Sequence, residues 1–165
     1  MKILIAGFTK IKYMPYLKFY LNNIDCENNE IHILFWNRDC KEETLDIEKY
    51  KYHEFRFYQE DDVKKIFKIK SFIKYRNFAK KILMKESFDK IIILHSLPAV
   101  LLNDILRIRF KNKYIFDFRD VTYEKFYFFR KIIHILCNNS YATFCSSRGY
   151  LKYLPKSNKI LISHM

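Results

Sequence analysis

Seven short strand-like runs alternate with helix-periodic stretches along this chain of 165 residues, and that alternation narrows the folds it can adopt. Ile3-Leu4-Ile5-Ala6 is apolar at every position and Gly7 follows directly. Continuous apolarity of this kind marks a strand covered on both faces. Glu30 to Trp36 and Tyr52 to Tyr58 read as the second and third strands. Met14 to Leu21 reads as a helix between the first two, with Pro15 suited to its first turn. A long helical pattern runs from Val63 to Lys85, and Lys90 to Leu94 follows as the fourth strand. Pro98 opens a helix through Ile108; Lys113 to Phe118 is a strand and Tyr123 to Cys137 a helix. Ala142 to Cys145, a helix over Arg148 to Tyr153, and Lys159 to Ser163 complete the pattern. Strands alternating with helices predict right-handed crossovers and a mostly parallel, doubly wound sheet in a single α/β domain spanning residues 1–165.

Half the residues are apolar and 18% are aromatic, enough to bury a core, so intrinsic disorder is excluded. The net charge of +13 points toward nucleic acid, an anionic membrane or acidic substrates. Ile, Lys, Asn, Tyr and Phe are abundant while Gly and Pro are scarce, a bias typical of an AT-rich genome that accounts for part of the lysine excess. Cys26, Cys40, Cys137 and Cys145 have neither C-x-x-C spacing nor a compact disulfide pattern, and read as reduced, mostly buried thiols of a cytoplasmic protein. The opening apolar stretch is too short for a signal peptide, and the uncharged run Ile91 to Asn103 is far short of a spanning helix.

In a doubly wound sheet, ligands bind beyond the carboxyl ends of the strands. Polar residues collect at those positions: Gly7-Phe8-Thr9-Lys10, Asn37-Arg38-Asp39, His95-Ser96, Asp117-Phe118-Arg119-Asp120, Ser146-Ser147 and Ser163-His164. Asn37, Arg38 and Asp39 read most simply as a solvated turn. His95 follows four apolar residues, where a histidine is either structural or suited to proton handling and to hydrogen bonding a sugar hydroxyl. Asp117 and Arg119 fall on one face of their strand as an ion pair or a functional pair, and Asp120 could cap the following helix. With Gly7 and Gly149 the only glycines, neither a G-x-G-x-x-G turn nor a Walker loop is present. A G-x-S-x-G elbow, a D-x-D motif and a helical histidine pair are absent too, so no cofactor and no metal are expected.

The segments Ile93-Leu94-His95-Ser96-Leu97-Pro98-Ala99, Asp117-Phe118-Arg119-Asp120, Ser146-Ser147-Arg148-Gly149-Tyr150 and Ser163-His164 resemble family 4 glycosyltransferases of bacterial capsule and surface-polysaccharide clusters. The resemblance implies the N-terminal, Rossmann-like, acceptor-side half of a GT-B fold, with strand order 3-2-1-4-5-6. It further implies retaining, metal-independent transfer of a sugar from a nucleotide-sugar donor to a saccharide or lipid-linked acceptor. By position, His95 matches the histidine near the transferred sugar, and Asp117, Arg119 and Asp120, with Ser146 and Ser147, match substrate-binding positions. Gly7, Phe8 and Thr9 match the loop near the donor phosphates, although Phe8 and Lys10 depart from the usual glycine-rich pattern. The C-terminal donor-binding domain has no counterpart in this chain, which is therefore expected to be inactive alone, as a fragment or one subunit of a split enzyme.

The competing reading is a non-catalytic basic module for membrane or nucleic acid. The stretch Lys64 to Lys85 has nine basic residues and no acidic one, interleaved with Ile66, Ile69, Phe72 and Ile73. That pattern fits an outer helix with a buried stripe, or a surface-lying amphipathic helix with Lys68, Lys74 and Lys81 on anionic lipid. A cytoplasmic protein peripheral to the inner face of the plasma membrane is the corresponding expectation, with Phe126-Tyr127-Phe128-Phe129 as a second contact. No nucleic-acid-binding signature accompanies the charge.

Overall fold

Strand β1 spans Lys2–Ala6, β2 Glu30–Asn37 and β3 Lys51–Arg56, all pairing in parallel in the order β3-β2-β1. The computed structural model describes residues 1–60, 65–121 and 123–163; Val63, Lys64 and His164 of the segments singled out above lie outside them. Every residue of β2 from Ile31 to Asn37 is buried, which requires cover on both faces. Helix α1, Pro15–Asn23, starts with its proline in the first turn and buries Leu17 and Tyr20. Helix α2, Ile69–Lys85, follows a 3-10 turn at Lys65–Lys68 and buries Tyr75, Ala79, Ile82 and Leu83 on one side. Tyr75 stacks on Trp36 with ring centres 6.0 Å apart and meets Phe55 edge-on at 5.7 Å. These elements form one compact unit, Met1–Asp89.

The second unit, Lys90–Met165, holds β4 (Lys90–Leu94), α3 (Ser96–Leu101), α4 (Asn103–Ile108), β5 (Tyr114–Phe118), α5 (Tyr127–Asn139), β6 (Ala142–Cys145) and β7 (Ile160–Ile162). Its strands are parallel in the order β4-β5-β6-β7, so the order inside each unit follows the expected one. A 3-10 turn at Arg148–Tyr153 stands where a helix was expected. The helix expected from Pro98 through Ile108 instead begins at Ser96 and breaks at Leu102. Helix α5 starts at Tyr127, not Tyr123, because the preceding segment is held otherwise: Glu124 is buried and its Oε2 accepts the Tyr123 amide at 2.8 Å. The class is the doubly wound, parallel α/β fold. All four cysteines are free thiols; Cys137 and Cys145 are buried, but Cys26 is half-buried and Cys40 exposed, so burial is less general than composition suggested.

Candidate functional site

Strand β4 passes into α3 with a single residue between them, and that residue is His95. So abrupt a turn forces its backbone to φ 74° and ψ 160°, a region that only glycine occupies freely. His95 is held there by its amide, which donates to the Asp117 carbonyl at 3.0 Å. Strain of this kind persists only where surrounding contacts enforce it, and it concentrates at functional positions. The His95 Nδ1 lies 3.4 Å from Asp120 Oδ1.

At the end of β5, Arg119 Nε donates to Asp117 Oδ2 at 2.8 Å, and both side chains are buried. The spacing of two along a strand puts both on one face, as the sequence implied. At the end of β6, the Ser146 hydroxyl donates to the Arg119 carbonyl at 3.2 Å. His95, Asp117, Arg119, Asp120 and Ser146 thus gather at the carboxyl ends of three neighbouring strands within the second unit. Asp120 does not cap α5, whose first flanking residue is Phe126. Ser147 serves locally: its Oγ accepts the Gly149 amide at 3.2 Å and caps the 3-10 turn.

The loop after β1 belongs to the first unit. The Gly7 amide donates to the Leu34 carbonyl at 2.8 Å, and its carbonyl accepts the Tyr75 hydroxyl. A Cβ at Gly7 would stand 2.1 Å from the Met14 sulfur, so any larger residue there requires the buried Met14 side chain to shift. The Phe8 ring is buried against Trp36 and Tyr75, at 5.0 and 4.7 Å. Its carbonyl accepts Arg38 Nη2 at 2.9 Å. Thr9 lines a cavity of about 390 Å³ together with Lys10, Arg38 and Asp39, and Tyr13 and Tyr58 form part of its wall. Lys10 is buried and donates to Asp39 Oδ1 at 2.7 Å. That hydrogen bond holds the Lys10 ammonium above its usual range and the Asp39 carboxyl below its own.

The solvated turn expected at Asn37–Asp39 is corrected by these contacts. Asn37 is fully buried, and its amide donates to the Lys41 carbonyl and to Glu54 Oε1. Arg38 lies over the Trp36 ring at 4.6 Å. Sequence reading missed Lys10 as a buried partner of Asp39; its only signal was a lysine set close behind an apolar strand. It missed also the cavity beside α5 that holds Arg130, Lys131 and Lys152, whose signal was the helical spacing of Tyr127, Lys131 and His134.

On α2, Lys74 and Lys81 are exposed and Lys68 is half-buried in the preceding 3-10 turn. Lys74 Nζ sits 4.2 Å from the centre of the Phe57 ring, a cation–π contact. Ile69 and Ile73 are about half exposed on the same helix. Among the described residues, no helix is long and apolar enough to cross a membrane and no group of three side chains could hold a metal ion.

No family model matches the chain, and no curated protein sequence matches it. Solved structures do. A sucrose-phosphate synthase from Thermosynechococcus elongatus superposes with a TM-score of 0.68 at 11% identity, over 98% of this chain and 87% of that one. Arabidopsis thaliana UGT89C1 complexed with quercetin superposes with a TM-score of 0.61 at 10% identity, over 98% of this chain. The chain spans about half, 49%, of the plant protein. At such identities the likeness is one of fold, and the fold is that of a Rossmann-like GT-B half.

Proposed function

We propose that this chain is the acceptor-side half of a glycosyltransferase that moves a sugar from a nucleotide-sugar donor to a saccharide, lipid-linked in surface-polysaccharide synthesis. A second Rossmann-like domain, on the same or another chain, supplies the donor site. The observation that carries this reading is His95, a non-glycine residue held at positive φ on the carboxyl edge of β4 with Asp120 beside its Nδ1. In the tautomer that carries its proton on Nδ1, 3.4 Å from Asp120 Oδ1, Nε2 is the acceptor for a sugar hydroxyl, and the Asp117–Arg119 pair fixes the backbone that His95 hangs from. Asp120 and Ser146 contribute further polar groups to the same edge, and Thr9, beside the first unit's cavity, is the residue of its loop best placed to meet a ligand. Transfer retains anomeric configuration and uses no metal in this reading. The protein is cytoplasmic and peripheral to the membrane, with Lys68, Lys74 and Lys81 near anionic lipid.

The test is turnover of the completed enzyme. Loss of a hydrogen bond made best in the transition state costs about 2–4 kcal/mol, so His95→Ala is expected to lower kcat by roughly 30- to 1000-fold while circular dichroism is unchanged. Unchanged turnover in a folded variant would return His95 to a structural role.

A further inference from the structure

Three large side chains at the start of helix α5 are mostly exposed: the flanking Phe126 is 65% exposed, and Tyr127 and Phe128 are each 73% exposed. The next ring, Phe129, turns inward and meets Tyr123 at 5.4 Å, so the exposed trio is a local face and not a general failure of packing. Tyr127, Lys131 and His134 fall at i, i+4 and i+7 on one side of the helix. Together with Arg130, and with Lys152 from the 3-10 turn at Arg148–Tyr153, they line a cavity of about 360 Å³. None of its lining residues is acidic. The His134 Nε2 lies 3.2 Å from the Tyr153 carbonyl, which ties the two walls together.

Exposed rings beside a recess that holds Arg130, Lys131 and Lys152 and no acidic residue are what an anionic bilayer surface recognises. Aromatic side chains settle at the level of the headgroups, and basic groups neutralise lipid phosphate. We propose that this face docks on an anionic membrane, with Phe126, Tyr127 and Phe128 in the interfacial layer and a lipid phosphate seated between Arg130, Lys131 and Lys152. It is the principal lipid contact of the chain, ahead of the basic side of α2. The proposal does not depend on sugar transfer, since it uses none of the residues gathered around His95.

Vesicle co-sedimentation of the full chain tests it, using phosphatidylglycerol–phosphatidylcholine vesicles against phosphatidylcholine alone. Binding is expected only to the anionic vesicles and is weakened by salt. Arg130→Glu/Lys131→Glu and, separately, Phe126→Ser/Phe128→Ser each lower the bound fraction about tenfold, whereas Lys74→Glu/Lys81→Glu lowers it less. Because the two phenylalanines are exposed, their replacement leaves the melting temperature unchanged, which excludes misfolding as the cause. Inorganic phosphate at the concentration of the lipid phosphate does not displace the protein. Equal binding to neutral vesicles, no binding to either, displacement by phosphate, or full binding by the α5 variants would each overturn the proposal. The assignment of sugar transfer would stand in all four cases.

Discussion

His95 illustrates how one residue can be costly to the fold and useful at the site. Its backbone conformation is one that a side chain disfavours by about 1–3 kcal/mol. His95→Gly is therefore expected to unfold at higher denaturant than His95→Ala, by a margin of that size, although both lack the imidazole. Equal midpoints would show that the turn is not strained. The cysteines make a second residue-scale prediction. Burial pushes the Cys137 thiol up to about 12, and Cys40 is exposed. A thiol reagent under native conditions should modify Cys40 rapidly and Cys137 only on unfolding, as peptide mapping would record. The sequence placed His95 correctly after its strand, because an apolar run followed by a polar residue is a strong local signal. It did not reveal the positive φ, since a non-glycine residue carries no mark of a conformation imposed by its neighbours.

At the scale of elements, β2 and β3 meet in a histidine pair. His32 Nδ1 lies 2.7 Å from His53 Nε2, and His32 Nε2 lies 2.8 Å from Glu30 Oε1. Glu30 also accepts from Lys51 Nζ at 2.7 Å. Burial, and then the neighbouring His32, lowers the His53 pKa, while the hydrogen bonds from Lys51 and His32 take the Glu30 carboxyl down to about 2. A lowered histidine pKa means that the unfolded chain binds its proton first. The His53 contribution is then complete above its unfolded value, about 6.5, and is lost as pH falls through the lower folded value. The Glu30 contribution persists until more acid conditions, being lost only between its unfolded value near 4.5 and about 2. Thermal unfolding should show a midpoint that falls as pH drops below about 6.5, with the slope reduced in His53→Phe. A flat profile in the natural chain would contradict this account. The pairing itself was illegible in the sequence: His32 and His53 are brought together by the register that aligns Leu34 with His53, and a register is a tertiary fact.

For the whole molecule, the order of strands and helices was legible because each element announces itself locally, by apolar continuity or by helical spacing. Boundaries shifted where tertiary contacts intervened, as at Glu124 before α5 and at Leu102 between α3 and α4. Of the site, the Asp117–Arg119 pair followed from strand periodicity, whereas the pair of buried Lys10 with half-exposed Asp39 required the folding of two loops onto each other. The Gly7 loop shows the same division. Gly7→Ala is expected to destabilise the protein by about 1–3 kcal/mol through its collision with Met14, and because Met14 is itself buried, Gly7→Ala/Met14→Ala should lose less than the sum of the two single losses. A neutral Gly7→Ala in chemical denaturation would show that Met14 moves aside. The central claim is that the edge around His95 meets the sugar and that the donor nucleotide is held elsewhere. Amide NMR of the full chain, titrated with glucose, galactose and N-acetylglucosamine and separately with UDP-glucose, tests both halves of it together. The account predicts that the sugars shift the amides of His95, Asp117 to Asp120 and Ser146, and that UDP-glucose produces no tight binding. Low-micromolar binding of UDP-glucose, or sugar-induced shifts confined to other regions, would contradict it.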